Sequence, residues 1–361
     1  MGEGAASRAR LRLIRSANVG PVTYRHLIAR FGSAQAALEA LPELAARGRG
    51  RAPTIADAGA VEREMAAVER LGAHYCFLDD PDYPPLLAQI ENPPPAMILR
   101  GDPTLLARPT VAMVGARNAS AAAVRFARTL SAGLAAEGVT VISGLARGID
   151  TAAHVAALDG GTVGVIASGI DIAFPPENAE LQEAVARRGL LIAEQPPGTE
   201  PRARHFPYRN RIIAGAAIGT VVVEAAPKSG SLITARLAGE AGREVMAVPG
   251  SPLDPRAQGC NLLIRDGATL VQTVADILEM VRPIDMRAVR APTDAFAGPP
   301  PDDASDGDRA AVTALLGPAP VAVDEIVRQS GKAPAVVQTV LLELELAGRL
   351  DRHAGGRVSL A

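Results

Sequence analysis

Between Thr110 and Gly250 the chain repeats one unit: a short apolar run, a turn, then a helix-length segment. The runs are Thr110-Val-Ala-Met-Val114, Val139-Thr-Val-Ile-Ser143, Thr162-Val-Gly-Val-Ile-Ala-Ser168, Leu190-Leu-Ile-Ala193, Ile218-Gly-Thr-Val-Val-Val-Glu224 and Glu244-Val-Met-Ala-Val248. Short β-branched runs without polar alternation fit parallel strands covered on both faces, with the intervening segments supplying the covering helices. Almost every run ends in small or polar residues. In an open α/β sheet a ligand sits outside the carboxyl ends of the strands, so the function is to be read there. The expected fold class is α/β, an extended Rossmann-like parallel sheet.

The length of 361 residues suggests roughly two to three domains at about 150 residues each. Residues 1–72 read as a small helical domain. Its Asn18-Val-Gly-Pro-Val-Thr23 turn, followed by a helix, resembles half of a SAM-like or helix-hairpin-helix module. Residues 73–282 carry the sheet. They are entered through a strand at His74–Leu78 and a proline-rich connector around Pro93–Pro95, which suits an extended edge. Residues 283–307 are rich in Pro, Gly and Asp and read as a flexible linker. Residues 308–361 have the order of a small winged-helix domain, with helices over 309–316, 322–329 and 334–347 and a hairpin over 349–360. A winged helix that reads duplex DNA wants Lys or Arg on its third helix. Here Ala335–Glu345 has two acids and no base, which favours a protein contact.

The net charge of −2 argues against a globally basic nucleic-acid binder but leaves room for a local patch. Trp is absent and aromatics make up 3%, so the core must be aliphatic. Cys76 and Cys260 stand far apart, outside any CxxC or Cys/His cluster, so neither a disulfide framework nor a metal site is expected. The N-terminus has no signal-peptide core, and no apolar run reaches bilayer length. A cytoplasmic protein without membrane contact is expected.

Five stretches offer chemistry. Gly115-Ala-Arg117 lacks the second and third glycines of a dinucleotide site and has no acid ending the next strand, which disfavours NAD. What remains is a helix start with Arg117 beside it, a seat for one phosphate. Ser143-Gly144 with Arg147 forms a second glycine turn, and Ser168-Gly169 ends the third strand. Asp150 and His154 lie one helical turn apart; a helix cap and a packed histidine account for them better than an acid–base pair. The densest stretch is Pro201-Arg-Ala-Arg-His-Phe-Pro-Tyr-Arg-Asn-Arg211, with Arg202, Arg204, Phe206, Arg209, Asn210 and Arg211. Arginines grip phosphates and aromatic rings stack on bases, as single-stranded nucleic acid binding requires. The same residues equally suit a solvated loop paired with Glu194 and Glu200. Lys228-Ser229-Gly230-Ser231 at a helix start is a second anion seat. An alternative reading is a Rossmann-like enzyme acting on a nucleotide or nucleoside monophosphate, with Glu224 or Asp150 as acid–base.

Six motifs in order resemble the DprA/Smf family of bacterial DNA-processing proteins. They are Val114–Arg117, Ser143–His154, Gly169 with Phe174-Pro-Pro-Glu-Asn178, Phe206–Gly215, Lys228–Arg236, and Val248–Pro255 with Gly259-Cys-Asn261. The resemblance covers about Tyr83 to Met280. It implies a homodimeric single-stranded DNA-binding protein of natural transformation (competence) and recombination. Such a protein protects incoming DNA and loads the RecA recombinase, with no cofactor, no metal and no catalytic residue. By motif, Arg117 is expected to hold a phosphate, the Arg202–Arg211 stretch to line the strand with Phe206 stacking, and Lys228–Ser231 to complete the pocket floor. Ala116 stands where the family has Ser or Thr, which removes one hydroxyl contact.

Overall fold

The computed structural model describes residues 3–48, 53–281, 304–353 and 355–361. Two compact units emerge, one made of residues 1–63 with 294–361 and the other of residues 64–293. Most of the expected linker lies outside the described residues.

The first unit joins both ends of the chain. Its N-terminal part contains helices α1 (Glu3–Arg15), α2 (Pro21–Phe31), α3 (Ala34–Arg47) and the start of α4 (Ala58–Arg70). Pro21 opens α2, where its missing N–H costs nothing, and Gly32 closes that helix in the left-handed region at φ 72°.

The second unit follows in sequence from the end of α4. Its elements are β1 (His74–Phe77), α5 (Pro85–Ala88), β2 (Ala96–Gly101), β3 (Thr110–Val114), α6 (Ala121–Ala136), β4 (Thr140–Ser143), α7 (Ile149–Ala157), β5 (Thr162–Gly169) and α8 (Ala179–Arg188). Then come β6 (Leu190–Gln195), α9 (His205–Ala216), β7 (Gly219–Val222), α10 (Gly230–Glu240), β8 (Glu244–Ala247), α11 (Gln258–Arg265), β9 (Thr269–Leu270) and α12 (Val274–Val281). Each of the six apolar runs contains a strand. They lie in one nine-stranded sheet of order β1-β2-β6-β5-β4-β3-β7-β8-β9.

The sheet is parallel from β6 to β9, and β1 and β2 pair antiparallel at one side. Ala96–Gly101, which follows the expected Pro93–Pro95 connector, is thus an interior strand between β1 and β6. The three prolines before it work as its lead-in: Tyr83 Oη donates to Pro94 O at 2.9 Å, and Leu78 N donates to Pro95 O at 3.1 Å.

Alternation along each strand sorts the side chains into two layers. Ala112, Val114, Val163, Val165 and Val222 join Ile212 and Ile213 of α9, Ala235 of α10 and Cys260 of α11. Val111, Met113, Val141, Val221 and Val223 join Leu130 and Leu134 of α6, Ala153 of α7 and Ile277 of α12. Beyond β6 the order reverses: β3 has β4 on one side and β7 on the other. That switch point opens a crevice at the carboxyl ends of β3 and β7.

The winged-helix part of the first unit holds α13 (Asp306–Ala314), β10 (Val321–Ala322), α14 (Val323–Ser330), α15 (Pro334–Leu346), β11 (Leu350–His353) and β12 (Arg357–Leu360). Ser305 and Asp308 form a capping box that starts α13. The third helix, α15, buries apolar side chains on more than one face. Val337, Val340, Leu341 and Leu344 fill the winged-helix core, while Leu342 and Leu346 join Leu13, Tyr24, Leu27 and Leu41 in the N-terminal core. A fully buried Leu contributes about 1.5–3 kcal/mol. Polar contacts at this seam, such as Arg30 Nη1 donating to Thr339 Oγ1 at 3.2 Å, contribute about 1 kcal/mol each. The leucines therefore hold the two ends together, and the helix that would enter a DNA groove is covered. Among the described residues no helix is long and apolar enough to cross a membrane.

Candidate nucleic-acid interface

After β3, Gly115 lets the turn pass α7 closely: a Cβ there would lie 2.6 Å from Ile149 Cγ1. Ser120 then caps α6, its Oγ accepting from Ala123 N at 3.1 Å. Ser120 in turn donates N–H and O–H to the two carboxylate oxygens of Glu224, at 3.0 and 2.7 Å. The α6 start, expected as a phosphate seat, is already satisfied by the chain's own carboxylate. What this turn offers a ligand is Arg117, which is exposed.

The second turn faces inward. Ser143 Oγ donates to Met113 O at 2.6 Å. Asp150, at the second position of α7, does not cap its own helix, whose N-cap is Gly148. It accepts instead from Gly144 N at 3.1 Å and Ala146 N at 3.3 Å, holding the loop in front. Gly148 is required twice over: its φ is +75°, and a Cβ would meet Ala116 O at 2.3 Å.

His154 is fully buried. Leu145 N donates to its Nε2 at 3.3 Å, and its Nδ1 lies 2.8 Å from Thr162 Oγ1. The Thr162 hydroxyl proton is committed to Val141 O at 2.9 Å. The hydrogen-bond pattern therefore assigns a neutral ring with the proton on Nδ1. Burial, then the charge of Arg209, pushes the His154 pKa down to about 3. The unfolded chain takes up this proton near pH 6.5 and the folded one near 3, so stability is full above 6.5 and falls as pH drops through that window. His154→Phe is expected to flatten the loss, which is at most about 1.4 kcal/mol per pH unit, in denaturant titrations from pH 7 to 4.

Neither acid–base candidate is available for chemistry. Asp150 is 7% exposed and occupied by two amides, and Glu224 is 8% exposed and occupied by Ser120. Ser168 Oγ donates to Ile172 O at 2.7 Å, and Gly169 N donates to Thr199 O at 2.9 Å. Ser143, Gly144, Ser168 and Gly169 thus build the loops rather than line an open surface. Arg147 is exposed but ion-paired with Glu177.

The arginine stretch divides in two. Arg202 and Arg204 precede α9 and are exposed. Arg209 is 6% exposed and donates Nη1 to Val165 O at 3.1 Å. Its guanidinium fills the space beside Gly144, where a Cβ would lie 1.5 Å from Nη1. Arg211 pairs with Glu194 at 2.5 Å, with side chains only 10% and 20% exposed. The expectation that Arg209 and Arg211 line a strand path meets this inward placement: both support the fold. The alternative pairing with Glu194 holds for Arg211.

Phe206 is half-buried, and so is Asn210, one helical turn on along the same face. The Arg117 guanidinium sits over the Phe206 ring at 5.5 Å from its centroid. This cation–π contact joins the first turn to α9. At the far side of the switch point Lys228 is exposed, and Ser229 caps α10, whose first turn has no acid. Gly230 has open space around it. Unlike α6, this helix start is open to an anion.

Arg117, Arg202, Arg204, Phe206 and the 228–231 turn therefore share the carboxyl edge. The sequence reading missed Phe174, whose ring centroid lies 5.7 Å from that of Phe206. A large aromatic in the loop that follows a strand's carboxyl end, in a chain with six Phe, is the signal that points to it. Among the described residues no group of three or more His, Cys, Asp and Glu gathers as metal ligands would.

Comparison with known proteins gives one consistent result. Residues 74–282 match the family described as DNA recombination-mediator protein A. Residues 5–67 match a DprA-like N-terminal HHH domain, and residues 296–356 a DprA winged helix domain. The chain is 38% identical to Protein Smf of Escherichia coli (strain K12), over 83% of this chain and 81% of that one. It is 44% identical to DNA processing protein DprA of Streptococcus pneumoniae, over 56% and 72% of the two chains. The X-ray structure of the pneumococcal protein superposes with a TM-score of 0.58 at 40% identity, covering 62% of this chain and 78% of that one. DprA from Helicobacter pylori, a structure described for its single-stranded DNA binding mode, gives a TM-score of 0.54 at 26% identity, covering 58% and 96%.

Proposed function

The chain belongs to the DprA/Smf family of DNA processing proteins, and from that premise we propose that it binds single-stranded DNA along the carboxyl edge of its sheet. The observation that supports this most is that the exposed Arg117, Arg202, Arg204 and Lys228 follow the carboxyl ends of β3, β6 and β7, with Arg117 over the Phe206 ring. Cations hold the phosphates there and the rings take bases, without base-edge readout. Arg209 and Arg211 set the shape of α9 beneath that surface. In this reading the protein catalyses no covalent step. It protects the incoming strand and passes it to the RecA recombinase, working as a cytoplasmic homodimer. The sequence divides in this reading into residues 1–72, 73–282, 283–307 and 308–361, with the two ends contributing to one compact unit.

Titrating the full chain with single- and double-stranded oligonucleotides at about 50 and 200 mM salt tests the reading. Single strands are expected to bind more tightly, with affinity falling about 0.7 log units per log unit of salt for each phosphate held. Equal affinity for both forms, or binding indifferent to salt, would remove the proposal.

A further inference from the structure

Phe174 is 43% exposed, on a rim where the neighbouring Phe206 is half-buried. It lies between β5 and α8, on a segment tied down on both sides. Ser168 Oγ and Gln182 Nε2 donate to Ile172 O at 2.7 and 3.4 Å. Gly198 N donates to the Asp171 carboxylate at 2.8 Å. Asn178 Nδ2 donates to Leu145 O at 2.8 Å and Thr151 Oγ1 at 2.9 Å. Glu177 pairs with Arg147, and Pro175 is buried. The backbone carrying the exposed ring is thus fixed before any ligand arrives, so little ordering entropy remains to be lost on binding.

The Phe174 ring stands 5.7 Å from Phe206, tilted 57° to it, and the Arg117 guanidinium lies over Phe206. Phe206 therefore has a cation against its ring and an aromatic neighbour beside it. The more open ring of the pair is Phe174, one aromatic contact away from the cation expected to hold a phosphate. An uncharged, flat, polarisable group attached to a phosphate is the chemistry this arrangement suits.

We propose that Phe174 is a base-stacking platform, taking a nucleobase of the strand whose phosphate Arg117 holds. The proposal rests on the single-stranded DNA reading and adds to it a contact from a different loop. Every base has a π-face, so the platform accepts any base and sets no sequence preference.

The test uses the full chain and two oligonucleotides of equal length, oligo-dT and an abasic strand with the same phosphates. Phe174→Ala is expected to weaken oligo-dT binding by roughly 5- to 150-fold, the range for loss of one stacked base, and to leave abasic binding and the salt slope unchanged. Phe174→Leu, which stays apolar but has no ring, is expected to behave like the alanine variant and secures the test if alanine impairs folding. Phe174→Trp is expected to bind oligo-dT at least as tightly as the parent. Unchanged oligo-dT binding in the Ala and Leu variants would overturn the platform, and so would an equal loss on both strands, or a loss of self-association with DNA binding intact. Arg117→Ala is the separate arm: if it leaves binding to both strands untouched, the DNA reading itself fails.

Discussion

Arg209→Ala is expected to lower the stability of the sheet-bearing unit by about 3–5 kcal/mol, the cost of removing one member of a buried charge pair. Arg209 and Asp150 are 6% and 7% exposed, and each is the main charge offsetting the other's burial. Burial pushes the Asp150 carboxyl above its usual range, and Arg209 is the foremost influence holding it down. Burial likewise lowers the Arg209 pKa to about 10, against the attraction of Asp150. Alanine would leave Asp150 buried without that cation and open a void beside Gly144. A carboxyl whose folded pKa exceeds its unfolded value binds more protons folded than unfolded, so stability rises as pH falls through that window. The deficit of the variant is therefore largest near neutral pH and shrinks toward about pH 4. Urea titrations of parent and variant at pH 7 and 5 measure it. A loss below about 1 kcal/mol, typical of a surface arginine, or a deficit that grows in acid would refute the account.

The second large effect is on binding. Arg117, Arg202, Arg204 and Lys228 are exposed, and none forms an ion pair with the described residues. Replacing all four with alanine is expected to leave the melting transition within about a degree or two of the parent, since surface changes of this kind cost little each. Single-stranded DNA affinity at about 50 mM salt is expected to fall by at least roughly a hundredfold, which two charged contacts of about 1.5 kcal/mol each already supply. Four phosphates account for a slope of about −3, or roughly a 50-fold loss between 50 and 200 mM salt, and the variant should lose that steepness. A weaker variant with an unchanged salt slope would mean that these residues act through shape rather than charge. Arg211→Ala provides contrast: it is expected to destabilise the fold while leaving the slope alone, because its guanidinium is committed to Glu194.

Much of this protein was legible in the sequence because strands and turns are written locally. Short β-branched runs without polar alternation, and the small residues closing them, located the parallel strands and identified the rim where chemistry belongs. The strand Ala96–Gly101 behind Pro93–Pro95 was not legible as one, since an interior antiparallel strand differs from a lead-in only in what pairs with it, here β1 and β6. In the sequence Phe174 is only one residue of a motif; its exposure and its place beside Phe206 arise where the loop after β5 meets the start of α9.

The division within the arginine stretch shows the limit most clearly. Composition put Arg202, Arg204, Arg209 and Arg211 on equal terms. Arg209 faces inward because Val165 O lies behind it, 44 residues away, and Arg211 because Glu194 waits 17 residues before it. Glu224 closes the α6 start across 104 residues, turning an apparent anion seat into a finished cap. The sequence by itself determined the six parallel strands of the apolar runs, the turns that close them and the family. Only the tertiary structure decided which cations face solvent and which are held inside, because the free energy of a buried charge depends on partners that the chain brings together solely by folding.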